Sequence, residues 1–143
     1  MCAVIRKGGT FYRLKLCNPK PGTHVVFDAP EGIGCSEGKW IVQRTGHETA
    51  FIKNLKHDKA YLGIDGEIVP GQANRIVAVS ECQEWRLQQS AEPYSFFLIP
   101  TIPNGDGLTM DLTVLQSHED QVALVPLKED DAEQAWILHF IEQ

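Results

Sequence analysis

Short apolar runs alternate with turn-forming residues along most of the chain. The runs are rich in β-branched and aromatic residues, and clusters of Gly, Pro, Asn and Asp separate them, which is typical of β-strands joined by turns. Few windows place apolar residues at the helical spacing i, i+3, i+4, i+7 behind a capping residue, so we expect little helix. The pattern predicts a closed all-β barrel or sandwich of eleven short strands: Phe11–Leu16, His24–Phe27, Trp40–Gln43, Thr49–Leu55, Tyr61–Ile64, Arg75–Val79, Glu84–Gln88, Tyr94–Ile99, Leu108–Leu115, Gln121–Leu127 and Ala135–Phe140.

Three tryptophans recur at similar intervals, at positions 40, 85 and 136, and each opens a short apolar strand. They are separated by 45 and 51 residues, and a period of this length predicts a repeat architecture. Three units of about four strands, each with an apolar face that the others cover, predict a β-trefoil: a six-stranded barrel closed by a hairpin cap. The predicted single domain spans residues 1–143, with repeats at approximately 9–45, 46–90 and 91–143.

Further features of the repeat are an early aromatic strand and, after it, a strand that ends in aspartate. The first of these aspartates lies only 12 residues before its tryptophan, against 20 and 25 in the other units, so we expect either a short third strand near residues 32–35 or a shifted first unit. The tryptophans are expected in the core, because aromatic residues at a repeat period usually pack a barrel. The aspartates could bind glycans or cap turns through nearby backbone N–H groups: Asp28, Asp65 and Asp111.

The composition of the 143-residue chain argues against several partners. Nineteen acidic residues outnumber thirteen lysines and arginines, which gives a net charge of −6. Nucleic acid is not expected, because neutralising phosphates needs clustered cations. No stretch approaches the roughly 18 apolar residues of a membrane span, and the first residues lack the apolar region of a secretory signal. We therefore expect a cytoplasmic protein with no membrane partner.

Residues with catalytic or metal-binding chemistry are scattered through the sequence. The five histidines form no H-E-x-x-H motif, and the chain has no G-x-S-x-G and no phosphate-binding loop, so we expect no enzyme, cofactor or metal. The cysteines form no C-x-x-C pair, and in a cytoplasmic protein they are expected as free thiols: Cys2, Cys17, Cys35 and Cys82.

Four stretches resemble the fungal β-trefoil protease inhibitors, and most closely the cospin-type serine protease inhibitors. They look like that family's Y-x-I-x-N, Y-x-G-x-D-G, E-W-x-I and V-A-V-x-P-L motifs, in the same order, over nearly the full chain. A Q-x-W pattern before two of the tryptophans also resembles the wider ricin-B-like superfamily. The four stretches are Thr49-Ala-Phe-Ile-Lys-Asn-Leu55, Ala60-Tyr-Leu-Gly-Ile-Asp-Gly-Glu-Ile-Val69, Gln83-Glu-Trp-Arg-Leu87 and Gln121-Val-Ala-Leu-Val-Pro-Leu127.

This resemblance implies a monomeric inhibitor with a defensive role, which blocks a trypsin-like serine protease with a substrate-like loop. The loop between the last two strands contains Lys128, flanked by Leu127 and Glu129, and we predict that Lys128 fills the specificity pocket. Arg75, on a loop of the middle repeat, is the second candidate. The other loop that the family uses, Ala29–Gly38 here, holds no Asn, Lys or Arg and so departs from the pattern.

Two alternatives use the same fold. A ricin-B-like lectin would bind glycans through an aspartate, an amide and an aromatic platform, but the strands that follow Asp65 and Asp111 hold no aromatic residue. A cysteine protease inhibitor would block a papain-like cleft with two loops of the first repeat. The candidate loops for that role are Asn18–Gly22 and Gly32–Gly34.

Overall fold

Twelve β-strands make up almost all of the regular structure among the residues described by a computed structural model of the chain. The structure describes residues 1–29, 38–67, 73–101 and 112–141. One turn of 3-10 helix, Ala132–Gln134, precedes the last strand. The strands are β1 (Cys2–Arg6), β2 (Arg13–Lys15), β3 (Val26–Asp28), β4 (Trp40–Arg44), β5 (Thr49–Asn54), β6 (Tyr61–Ile64), β7 (Ile76–Val79), β8 (Glu84–Gln89), β9 (Ser95–Pro100), β10 (Leu112–His118), β11 (Gln121–Pro126) and β12 (Trp136–Ile141).

Six of these strands form a closed barrel. Antiparallel pairing runs from β1 through β4, β5, β8, β9 and β12 and returns to β1. The other six form three hairpins, β2–β3, β6–β7 and β10–β11. This architecture confirms the predicted β-trefoil. Closing the sheet also removes the edges that an open sheet would expose.

The three tryptophans are fully buried, as predicted, and each makes the same hydrogen bond. The indole N–H donates to a backbone carbonyl of a cap hairpin in the same repeat, at 2.8–3.0 Å. A buried indole needs such a partner, because an unpaired N–H would keep its full desolvation cost. The bonds therefore tie each barrel strand to its hairpin: Trp40 to Leu14, Trp85 to Leu62 and Trp136 to Val114.

The strand that the sequence pattern missed is β1. Its burial runs through four consecutive residues without the alternation of polar and apolar positions that marks a half-buried strand. Ala3 of β1 pairs with Trp40, just as Ala50 pairs with Trp85 and Phe96 with Trp136. The strand β1 thus takes the place of β5 and β9 in the repeat, ahead of the predicted first boundary at residue 9.

This register also changes which aspartates correspond. Asp65 directly follows β6, the second strand of its repeat, whereas Asp28 ends β3, a third strand. The short interval between Asp28 and Trp40 therefore compares unlike positions and does not show a shortened repeat. The predicted third strand near residues 32–35, and Asp111, lie outside the described residues.

The three hairpins close the cap by bridging to one another in a ring. His24 bridges to Val77, Arg75 to Ala123, and Gln121 to Val26. Beside each bridge, a backbone N–H of one hairpin also donates to a backbone carbonyl of its neighbour at 2.8–2.9 Å. These hydrogen bonds run from Ala78 to Thr23, from Leu124 to Asn74 and from Phe27 to Asp120. Arg75 therefore belongs to the cap itself.

Two observations on the cysteines bear on the expected free thiols. Cys2 and Cys82 carry free thiols. Cys17 is disulfide-bonded, so the expectation is wrong for this residue. The cytoplasmic location stays a prediction. Cys35 lies outside the described residues.

Candidate functional site

The predicted inhibitory lysine lies on a braced turn between β11 and β12. Lys128 is exposed, and its backbone N–H donates to the side-chain oxygen of Gln134 at 2.7 Å. The Gln134 amide in turn donates to the carbonyl of Pro126 at 3.0 Å, and Gln134 itself is buried. The buried side chain of Gln134 thus ties the end of the turn to its start at Pro126 and Lys128. The sequence pattern did not identify Gln134 as part of this site.

The backbone of this turn is folded back on itself. The carbonyl of Lys128 accepts the N–H of Asp131 at 3.0 Å, and the Asp131 side chain caps the 3-10 helix through the N–H of Glu133. Leu127 is half-buried against Phe97, Ile99 and Ala135, which form a small cluster beside the main core. A substrate-like loop presents an extended backbone to a protease, so Lys128 would have to give up the bond to Asp131.

Glu129 follows Lys128 at the exposed tip of the same turn. Arg75, the second candidate, is half-buried at its bridge to Ala123, and within the described part of the chain its buried Nε atom has no hydrogen-bond partner. The structure keeps Arg75 and Lys128 on separate elements, one in the cap and one beside the last barrel strand. Whether either residue contacts a protease stays a prediction.

The first-repeat loop predicted for cysteine protease inhibition is a closed turn. The Asn18 side chain accepts the N–H of Lys20 at 2.9 Å, and the N–H of Gly22 donates to Ala78 at 2.8 Å. The second predicted loop of that site, Gly32–Gly34, lies outside the described residues, as does most of Ala29–Gly38.

Asp28 serves the structure around it. Its carboxylate accepts the N–H of Ala29 at 2.8 Å and lies 4.0 Å from the ammonium of Lys15, a fully buried lysine. This carboxylate thus bonds a nearby backbone N–H, while the segment that follows Ala29 lies outside the described residues.

Asp65 has a different environment at the end of β6. The residue is exposed, and its carboxylate has no hydrogen-bond or ion-pair partner among the described residues. Its backbone is fixed, because its N–H donates to the carbonyl of Arg75 at 2.9 Å. The side-chain amide of Asn74 donates to the carbonyls of Asp65 and Glu67, at 2.8 and 2.9 Å. A free carboxylate on a fixed backbone is available to an external donor.

The other two repeats lack this carboxylate. The tryptophan bonds make Leu14, Leu62 and Val114 equivalent positions. The residues three positions after them are Cys17, Asp65 and Ser117. The candidate site therefore belongs to the middle repeat. The sequence pattern indicated Asp65 but missed Asn74, whose role depends on the fold of the hairpin.

Metal ligation and membrane insertion find no support in the described parts of the chain. No group of three or more His, Cys, Asp or Glu side chains there could hold a metal ion. Within the same residues, no helix has the length and apolar character needed to cross a membrane.

Solved structures share this architecture. The chain is similar to a ricin B-like lectin of Macrolepiota procera in complex with lactose, at 18% identity and a TM-score of 0.70, over 97% of this chain and 94% of the lectin. The Rhizoctonia solani agglutinin matches at 14% identity and 0.70, over 96% and 93%. The designed threefold-symmetric protein ThreeFoil matches at 12% and 0.74, over 98% and 99%.

This chain is a β-trefoil. At these identities the likeness shows the fold alone, and on one fold the function depends on the site. No protein-family model matches the chain, and no curated protein does.

Proposed function

We propose that the protein binds carbohydrate through the β6–β7 hairpin, with Asp65 as the central acceptor. The observation that carries the proposal is the exposed, unpartnered carboxylate of Asp65 on a backbone that Asn74 and Arg75 hold in place. Ionised carboxylates accept hydrogen bonds from hydroxyl groups, and charge-assisted bonds of this kind are stronger than neutral ones. Two of the similar folds are ricin B-like or agglutinating proteins, which supports the same class.

The same geometry indicates a shallow site. The strand β7 that follows Asp65 reads Ile-Val-Ala-Val and offers no aromatic ring for a sugar to stack on. Binding would then depend on hydrogen bonds exchanged with water, whose net contribution is small. We therefore expect weak single-site affinity, with lactose as the first probe because it occupies the similar lectin.

Residue-specific loss of binding tests this proposal. Asp65→Asn keeps the size of the side chain but removes the charged acceptor, and it should reduce lactose or glycan-array binding at least tenfold. Glu67→Gln is the matched control, because Glu67 is exposed on the same loop and its carbonyl is also held by Asn74. Equal binding by the Asp65→Asn variant and the parent protein would contradict the assignment of the site.

Inhibition of a trypsin-like serine protease is the second candidate function. The observation in its favour is the exposed Lys128 on a short turn held by the buried Gln134. Docking in the extended, substrate-like form would first have to break the Lys128–Asp131 hydrogen bond. Titrating trypsin, chymotrypsin, subtilisin and papain with the protein separates the candidates. Stoichiometric trypsin inhibition that disappears in Lys128→Ala would favour the inhibitor, whereas full protease activity beside sugar binding would favour the lectin.

A further inference from the structure

A cavity of about 240 Å³ lies beside the 3-10 helix, away from the β6–β7 hairpin. Three parts of the chain line it: the end of the first barrel strand, the β8–β9 connection, and the 3-10 helix with the start of β12. We call it the Lys7 cavity, after the lysine in its lining. The described residues that line it are Lys7, Gly8, Glu92, Ser95, Ala132, Glu133, Ala135 and Ile137.

The ammonium group of Lys7 is the unusual feature of this cavity. Its nitrogen is buried and has no hydrogen-bond partner among the residues that the structure describes. It lies 4.9 Å from the ring centre of Trp136, and a cation–π contact of this kind holds the charge without using its three donors. A buried donor without an acceptor keeps its desolvation cost, so a ligand that supplies an acceptor would recover it.

The charges around Lys7 select the type of ligand. Glu92 and Glu133 line the cavity with it, and the negative charges of Glu133 and Asp131 act on its ammonium. Burial lowers the pKa of Lys7 below its usual range, and these carboxylates only partly oppose the shift. With two glutamates and one lysine among its lining residues, the cavity carries a net negative charge that disfavours anions, and these side chains can supply both acceptors and donors.

We propose that the Lys7 cavity is a second binding site for a neutral sugar ring. A ring oxygen or hydroxyl would accept from Lys7, while other hydroxyls of the ring would donate to Glu92 and Glu133. The flexible stem of Lys7 allows its ammonium to turn from Trp136 toward the ligand. At about 240 Å³ the cavity falls just below the roughly 300 Å³ at which pockets for larger ligands begin, so it suits one ring.

The inference rests on the proposed carbohydrate binding, but it concerns a different surface. The two sites can therefore be separated in one residue-resolved NMR titration of the full chain. The probes are lactose, galactose, glucose, mannose and N-acetylglucosamine, with glucuronate as an anionic contrast. The backbone amides of Gly8 and Ser95 report the Lys7 cavity, whereas those of Asp65 and Gly66 report the hairpin.

Saturable shifts at Gly8 and Ser95 with a neutral sugar, and weaker binding of glucuronate, are the expected result. Shifts confined to Asp65 and Gly66 would overturn the second site and leave the proposed function intact. No shift at either place with any probe would overturn both. Equal or stronger binding of glucuronate at Gly8 would overturn the assignment to neutral sugars.

Variants test the role of the lysine. Lys7→Met should weaken binding at Gly8 and Ser95 at least tenfold while leaving shifts at Asp65 unchanged. Lys20→Met is the matched control, because Lys20 is exposed in the first-repeat turn. Should Lys7→Met fold poorly, Glu92→Gln at an exposed position gives the second measurement, with a loss of at least threefold expected. Unchanged binding in both Lys7→Met and Glu92→Gln would refute the proposal.

Discussion

The buried tryptophan sites and the outer ends of the hairpins obey the threefold repeat to very different degrees. Each tryptophan is inaccessible to solvent and donates to an equivalent carbonyl, with donor–acceptor distances that agree within 0.2 Å. Three residues beyond those carbonyls, the repeats carry a disulfide-bonded cysteine, a free aspartate and a serine. The buried indole position carries the same residue in each repeat, whereas the surface position differs in all three.

The largest effect should come from breaking one of the tryptophan sites. Trp85→Ala removes a fully buried ring and leaves the Leu62 carbonyl without its donor, so we expect a loss of about 3–5 kcal/mol in the free energy of unfolding. Urea unfolding followed by circular dichroism measures it. A loss below 1 kcal/mol would show that the stability of the barrel does not depend on this buried tryptophan.

A smaller loss is expected from crowding the same hairpin. In Gly63→Ala the new Cβ would lie 2.6 Å from Cγ1 of Val79, and overpacking of this kind costs about 1–3 kcal/mol. Gly8→Ala is the control, since its Cβ would meet Ile137 at an ordinary 3.5 Å. Thermal unfolding measures both variants. The melting temperature should fall markedly for Gly63→Ala and stay close to that of the parent protein for Gly8→Ala.

The next smaller effect is expected at Gln134, the buried residue that holds the Lys128 turn. Gln134→Ala removes two hydrogen bonds from a buried side chain, and we expect a loss of about 1–2 kcal/mol. Hydrogen exchange at the Lys128 amide should speed up more than exchange in the barrel strands. Uniform acceleration across the chain would mean that Gln134 supports the whole fold rather than this turn.

The smallest effect, and the one with a pH signature, concerns Lys7. At neutral pH the folded chain carries the desolvation cost of the buried ammonium, which Lys7→Met removes together with the cation–π contact. The net effect should be an increase of about 1 kcal/mol in the free energy of unfolding. Burial lowers the pKa of folded Lys7 below the usual 10.5, and the carboxylates of Glu92, Asp131 and Glu133 face the same region.

The sign of the pH dependence follows from proton linkage. As the pH rises through the folded pKa toward 10.5, the unfolded chain holds a proton that the folded chain has released, so the parent protein gains stability. The advantage of Lys7→Met should therefore shrink over that alkaline range. Unfolding curves at pH 7, 9 and 10.5 measure this trend, and a constant difference would contradict it.

Most strands were predictable from the sequence, because turn residues and β-branched runs act locally. Tyr61–Ile64 matches its predicted bounds, and most others agree within two or three residues. The strand β1 was not predicted, because four of its five residues are buried in a row and its polar and apolar positions do not alternate. Of the site residues, Asp65 and Lys128 could be identified as candidates, but their partners Asn74 and Gln134 act across six to nine positions of folded loop.

The sequence by itself determined the threefold β-trefoil, because three tryptophans at a regular period require three equivalent places to bury them. The tertiary structure decided the register of the repeats and, with it, which aspartates correspond. It also decided that the Asp28 carboxylate bonds the N–H of Ala29, whereas that of Asp65 has no partner among the described residues, and that Lys7 lies over Trp136 beside a cavity. Those outcomes depend on contacts between residues far apart in the chain, which a local pattern of polar and apolar positions does not encode.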